Sequence, residues 1–371
     1  MELLHIAFFG PVNSGKSTLI NEICGQEVSL VSAEPGTTTD PVRKRIELPR
    51  LGPCVLIDTA GLGDESTLGA ERERRTRAVL DETDVAVLLL SQNQGQRSQK
   101  TGKNATAVPE NGTVVALLEK AGIPSITYTR GESVESLLER IAAVAPKDEE
   151  RFLTGNLVKS SDVVVLVMPQ DSEAPKGRLI LPQVQVLREL LDRGCTPVCC
   201  TPETLKSTLD SLKSMPSLVI TDSQAFGAVA DALPQDCPLT SFSVLLAAAK
   251  GDIRVYIDGA AAIDTLKENS RVLIAEACSH VPASEDIGRV KIPALLRKRC
   301  GEGLKVDIAA GNDFPEELGK YDLIIHCGAC VATRTLVRNR IRKALLAGVP
   351  ITNYGIAIAH LKGILKRISM P

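Results

Sequence analysis

The chain has 371 residues, 44% hydrophobic and 24% charged, which suits two or three globular cores rather than one. Its formal net charge of −2 supplies no basic stripe for nucleic acid. No run of about 18 apolar residues is present to span a bilayer.

Residues 3–9 are apolar and run straight into a glycine motif, without a basic segment or a cleavage site. They read as a first core strand rather than a signal peptide, so the expected location is cytoplasmic. The ten cysteines then read as reduced thiols, metal ligands or buried residues rather than disulfides. Trp is absent and aromatics make up 3%, so the cores must be aliphatic.

Residues 1–147 alternate short β-rich runs at 6–9, 55–57 and 85–90 with helical patterns starting near Lys16, Glu71 and Val114. This alternation predicts an α/β fold in which a parallel sheet is covered by helices. Residues 91–112 are rich in Gln, Ser, Asn and Gly and read as a surface insertion. A charged break at 146–151 marks the expected domain boundary.

Two further α/β units follow, at 148–269 and 270–371, giving three domains. Strands are expected at 163–168, 218–221, 272–275, 304–308 and 322–326. Helices are expected at 182–192, 203–213, 334–347 and from 356 on. No repeat of fixed short period is visible.

Gly10-Pro11-Val12-Asn13-Ser14-Gly15-Lys16-Ser17 fits G-x-x-x-x-G-K-[ST] between a strand and a helix. The glycines let backbone N–H groups wrap phosphate oxygens, and the helix N-terminus adds partial positive charge. Gly10, Asn13, Ser14, Gly15, Lys16, Ser17 and Thr18 form the candidate nucleotide cradle. Lys16 would reach the β- and γ-phosphates and Ser17 would bind Mg²⁺.

Asp58-Thr59-Ala60-Gly61 ends a later strand. There Asp58 would hold Mg²⁺ through water, and the Gly61 N–H would sense the γ-phosphate. Between the two motifs lies Pro35-Gly36-Thr37-Thr38-Thr39-Asp40-Pro41. A hydroxyl such as that of Thr38 would complete the Mg²⁺ shell only with triphosphate present, which is switch-loop logic. Lys16, Thr38 and Gly61 are the candidate catalytic residues.

These motifs resemble the translation-factor-like GTPases, in particular the MnmE branch. Leu62 stands where Ras-like proteins place a water-orienting Gln. Asn13 stands where potassium-activated members carry a K⁺-ligating Asn, so the resemblance implies K⁺ as a charge stabiliser beside GTP and Mg²⁺. The N-K-x-D guanine-reading motif is missing: the expected strand 123–129 leads into Arg130-Gly131-Glu132-Ser133. A site lacking those hydrogen bonds should discriminate poorly between bases.

Cys278-Ser279-His280 closes one expected strand and His326-Cys327-Gly328-Ala329-Cys330 another. Carboxyl ends of parallel strands share one edge, so three thiolates and up to two imidazoles can converge there. Soft thiolates suit an Fe–S cluster or Zn²⁺, and a C-x-x-C pair can also be redox-active. Ligand type alone does not choose between them. Gly328 is expected to provide the tight turn. Cys24, Cys54, Cys195, Cys199, Cys200, Cys237 and Cys300 lack such a pattern and read as packing residues, as do His5 and His360.

The pattern C-x-H, 45 residues, H-C-x-x-C is similar to the signature of HydF, the [FeFe]-hydrogenase maturation GTPases. The stretches 171–183, 218–227, 238–242, 286–293 and 348–355 are similar as well. The resemblance implies a GTPase domain, a homodimerisation domain and a [4Fe-4S] domain. It implies Cys278, Cys327 and Cys330 as cluster ligands, with His280 or His326 near the open iron or the cargo. It also implies a scaffold role: a diiron precursor, made with two radical-SAM maturases, is passed to apo-[FeFe]-hydrogenase. Two rival readings stand beside it. One is a regulatory GTPase with a zinc-binding or interaction-type C-terminal domain, and the other is a scaffold whose nucleotide site has degenerated.

Overall fold

The structure is a computed structural model that describes residues 3–11, 14–25, 41–59, 78–89, 112–146, 152–170, 177, 179–277, 286–311 and 313–371. The chain divides into two compact units, Met1–Asp148 and Glu149–Pro371.

The first unit is a five-stranded sheet in the order β2-β3-β1-β4-β5. Its strands are β1 Leu4–Phe9, β2 Val42–Leu48, β3 Gly52–Asp58, β4 Val85–Leu89 and β5 Ser125–Tyr128. Four are parallel, and β2 pairs antiparallel with β3 at the edge. β2 carries no apolar run, because its residues up to Glu47 are exposed or half-buried and only Leu48 is buried, so no sequence pattern marks it.

Strand alternation sends successive side chains to opposite faces. Ile6 and Phe8 pack with Leu19 and Ile20 of α1 (Lys16–Cys24) and with Leu137 and Ile141 of a helix at Val134–Val144. Ala7 and Phe9 pack on the other face with Val114 and Leu118 of α2 (Gly112–Ala121). That second helix, Val134–Val144, is α3. It is capped by Ser133, whose hydroxyl accepts from the Ser136 N–H at 3.2 Å.

The second unit holds two four-stranded, all-parallel sheets of identical winding. One has the order β7-β6-β8-β9, the other β11-β10-β12-β13. The first comprises β6 Val163–Val167, β7 Thr196–Cys200, β8 Leu218–Thr221 and β9 Leu239–Ser241. The second comprises β10 Arg271–Ala275, β11 Lys305–Ala309, β12 Leu323–His326 and β13 Ile351–Asn353.

The registers match. Val167 faces Thr221, which faces Ser241; Ala275 faces His326, which faces Asn353. The sequence repeats too. Pro238-Leu239-Thr240-Ser241-Phe242 precedes Lys250-Gly251 just as Pro350-Ile351-Thr352-Asn353-Tyr354 precedes Lys362-Gly363. This duplication is far longer than the short periods a repeat search favours.

In chain order the helices of this unit are α4 Leu181–Asp192, α5 Leu205–Ser211, α6 Phe226–Ala232, α7 Phe242–Lys250 and α8 Ile253–Ala260. They continue with α9 Ile292–Cys300, α10 Arg334–Leu346 and α11 Tyr354–Leu361. One hydrophobic cluster contains residues of both sheets, among them Val165, Val219, Phe226, Ile274, Ile325 and Ile358. A second cluster lies on the other face of the first sheet, where Val164 and Leu166 meet Val186 and Leu190 of α4.

Candidate functional site

In the first unit, β1 ends at Phe9 and α1 begins at Lys16, so the P-loop lies at the carboxyl edge of the sheet. Gly15 takes a φ of 92°, the left-handed region that favours glycine, as α1 starts. Gly10 has no room for a side chain: a Cβ there would lie 2.8 Å from the Leu89 carbonyl and from Ser14 Oγ. Lys16 is buried, and its ammonium donates to the carbonyls of Gly10 (3.0 Å) and Pro11 (2.8 Å). Burial draws its pKa down to about 8, against the pull of the Asp58 charge.

Ser17 Oγ donates to Asp58 Oδ2 at 2.6 Å, so the two expected Mg²⁺-shell residues are adjacent. Thr59 Oγ1 donates to the Phe8 carbonyl at 2.6 Å and locks the end of β3 against β1. The donor set fits a nucleotide phosphate and Mg²⁺. The N-cap of α1 is Gly15, which makes no side-chain cap bond among the described residues, so the first-turn N–H groups suit a phosphate. Ser14 Oγ is buried with no partner among the described residues. Thr18 lies on α1. Asn13, Thr38, Gly61 and Leu62 lie outside the described residues.

Beyond β5, where a guanine-reading motif would stand, Arg130 and Gly131 form a turn closed by the Glu132 N–H to the Thr129 carbonyl at 3.0 Å. The Glu132 carboxylate accepts twice from Arg140 Nη1, at 2.9 Å each, and once from Ser136 Oγ at 3.0 Å. Burial opposes its charge, but the Arg140 and Ser136 hydrogen bonds outweigh that and hold the carboxyl below its usual value. This carboxylate is committed to an internal ion pair.

In the second unit, Cys327 and Cys330 follow β12 and line a cavity of about 420 Å³. The Cys327 sulfur accepts from the N–H groups of Ala277 (3.1 Å) and Ala329 (3.4 Å). Two converging N–H donors favour a thiolate, the form that binds metal. Ala277 is the residue immediately before Cys278.

Cys278 and His280 lie outside the described residues, and among the described residues no three His, Cys, Asp or Glu side chains converge as a metal group. The tight turn is made by Ala329, at φ 52°, and not by Gly328. For a residue with a Cβ that costs about 1–2 kcal/mol, so neighbouring contacts must hold it.

His326, expected to approach the cluster or its cargo, is fully buried with both ring nitrogens engaged. Nδ1–H donates to the Cys327 carbonyl at 2.9 Å, which leaves Nε2 to accept from Arg340 Nη1 at 3.2 Å. Burial, and then the Arg340 charge, draws its pKa down to about 3, against the Cys327 carbonyl. This geometry differs from the expectation: the imidazole braces the loop and offers no free nitrogen.

Four further residues that no sequence motif marks line the cavity. Glu276, buried in its lining, is paired with Arg289 at 2.7 Å. Gln183 Nε2 donates to Asp222 Oδ2 at 2.9 Å on the wall supplied by the first sheet. Tyr354 lines the cavity, and its buried hydroxyl has no partner among the described residues. The thiol donors, the open cavity and this orphan hydroxyl together fit an Fe–S group bound at Cys327 and Cys330. For Asp222 the signal was the duplication, since it occupies the register position of Cys327.

Residues 153–251 match the family model of the hydrogen maturase F dimerization domain, and residues 254–371 that of the hydrogen maturase F tetramerization domain. The chain belongs to the hydrogen maturase F family. Residues 5–127 match the model of the 50S ribosome-binding GTPase, which implies GTP and Mg²⁺ as ligands of that unit. The HydF domain models support self-association. The model for 254–371 names a second such element, beyond the single dimerisation domain expected from the sequence.

Curated relatives match through the GTPase part. The tRNA modification GTPase MnmE of Methylobacterium sp. (strain 4-46) is 35% identical over 148 residues, 38% of this chain and 32% of the relative. GTPase Der of Clostridium perfringens (strain SM101 / Type A) is 37% identical over 123 residues, 32% of this chain and 28% of the relative. The chain thus spans about a third of the length of the curated relatives it matches. Among solved structures, Aquifex aeolicus Era bound to GDP.AlF4- aligns with 54% of this chain and 93% of its own, at 19% identity and a TM-score of 0.29. Among the described residues no helix is long and apolar enough to cross a membrane.

Proposed function

We propose that this HydF-family chain is a hydrogenase-maturation scaffold: a self-associating, cytoplasmic carrier that holds a [4Fe-4S] cluster and a diiron precursor, and binds and slowly hydrolyses GTP. The observation that carries this reading is the Cys327 sulfur held by two N–H donors beside Cys330, in the lining of a cavity of about 420 Å³. Cys327 and Cys330 are two of the thiolate ligands, with Cys278 as the third by family resemblance. The cluster, when bound, supplies an iron with an exchangeable coordination position. Around it the chain's own residues do the holding: His326 and Arg340 brace the loop, and the Tyr354 hydroxyl offers a hydrogen bond to what enters the cavity.

In the nucleotide half, Lys16, Ser17 and Asp58 supply phosphate and Mg²⁺ contacts common to GTP and ATP. Thr38 and Gly61 complete the proposed γ-phosphate contacts, and Asn13 a K⁺ site. The precursor comes from the radical-SAM maturases and the acceptor is apo-[FeFe]-hydrogenase. The deciding experiment loads the purified chain with precursor under anaerobic conditions and measures hydrogen evolution after mixing with apo-hydrogenase. Iron and sulfide analysis of the same sample separates this reading from the zinc-bound rival. Activation is expected; zinc in place of iron, or no activation by iron-loaded protein, overturns the proposal.

A further inference from the structure

The duplication makes Lys250 and Lys362 equivalent, each at the end of the helix that follows its sheet's last strand. Each reaches into the other half. Lys362 Nζ meets the Gln224 carbonyl at 3.5 Å on an exposed site. Lys250 Nζ meets the carbonyl of Ala329, which occupies the register position of Gln224, at 2.8 Å. On the cysteine side the contact has been elaborated. Lys250 is buried, and its ammonium donates also to the carbonyls of Cys330 (3.2 Å) and Ala332 (2.8 Å). An ammonium has three donors, and here three carbonyls of one short loop receive them.

We propose that Lys250, contributed by the dimerization domain, is the positioning residue of the cysteine loop, fixing its conformation and setting the charge felt by the group bound at Cys327 and Cys330. The inference rests on the function proposed above. Two physical effects carry it. The three charge-assisted bonds hold the left-handed turn at Ala329, whose own N–H meets the Cys327 sulfur. The buried positive charge also polarises the peptide units on either side of Cys330, strengthening their N–H groups as donors. Hydrogen bonds and charge at cluster sulfurs govern reduction potential.

The test uses the full chain, reconstituted anaerobically, in parent, Lys250→Met, Lys250→Arg, Lys362→Met and Arg334→Gln forms. Arg334 donates to the neighbouring Ala249 carbonyl and so breaks a nearby contact without touching the loop carbonyls. Two quantities are read: the rate of iron loss to a chelator, and the midpoint potential in an EPR-monitored redox titration. Lys250→Met should lose iron faster by on the order of tenfold and titrate at a more negative potential. Lys250→Arg should restore the potential, while Lys362→Met and Arg334→Gln should match the parent.

If Lys250→Met fails to fold by circular dichroism, Lys250→Gln, which keeps two donors but no charge, carries the same expectation for the potential. A neutral variant with the parent's potential and iron-loss rate overturns the proposal. So does an equal shift in Arg334→Gln, which would assign the effect to the neighbouring contact. A parent that binds no iron overturns the proposed function and this inference together.

Discussion

Ser17 Oγ donates to Asp58 Oδ2 at 2.6 Å, joining the first turn of α1 to the end of β3. The two groups stand where a Mg²⁺ shell needs a hydroxyl and a carboxylate, and Lys16 is stored beside them on the carbonyls of Gly10 and Pro11. Lys16→Ala removes the phosphate-binding charge and should abolish triphosphate binding in a fluorescent-nucleotide titration. The cysteine loop belongs to the other unit, so iron content should stay at the parent value.

Base selectivity should be weak. Glu132 is the carboxylate just beyond β5, and it is held by Arg140 and Ser136. Competition binding with GTP and ATP should therefore give affinities within about tenfold of each other, since phosphate contacts do not distinguish bases. Any hydrolysis should be faster in K⁺ than in Na⁺. A strong guanine preference would show that a reading element exists outside the described residues.

Cys327→Ser and Cys330→Ser should each reduce bound iron severely, because a hard hydroxyl is a poor partner for iron–sulfur chemistry. Cys278→Ser should do the same. Cys199→Ser changes an exposed thiol and Cys300→Ser a half-buried one, each away from the cavity, so both should leave iron content unchanged. Full iron in all three ligand variants would remove the cluster assignment.

The full chain should sediment as a dimer or tetramer, as the names of the two domain models suggest. A monomer across the accessible concentration range would contradict it.

His5 gives a pH prediction. Burial, then the Arg43 and Arg45 charges, draws its pKa from 6.5 to about 4, although Glu82 Oε2 lies 3.7 Å from its Nδ1, beyond hydrogen-bond reach. The unfolded chain therefore takes up this proton before the folded one does. Stability should fall as pH drops from 6.5 towards 4, by on the order of 3 kcal/mol from this residue. In His5→Leu the denaturant midpoint should vary less over that range.

The sequence was most readable where apolar runs and special turns coincide. Strands β1, β3, β4, β6, β8, β10 and β12 are buried over most of their length, and each begins and ends within three residues of where its apolar run places it. The edge strand β2 and the three-residue β9 and β13 were not readable, because Thr, Ser, Asn, Arg and Lys fill them and pairing rather than composition makes them strands. Of the candidate site, the cysteines and the P-loop announce themselves by spacing. Lys250 does not: a single Lys before Gly251 looks like a helix end until the tertiary fold delivers it to carbonyls some eighty residues later.

Val165, Phe226, Ile274 and Ile325 belong to one hydrophobic cluster although they fall in two domain models. Neither model's segment therefore carries a complete interior. Residues 149–371 should melt in a single cooperative transition, and the GTPase unit, with its own two clusters, in a separate one. A protease cut between residues 251 and 254 would not release two soluble halves. It would leave a nicked particle that stays together until both sheets come apart at once.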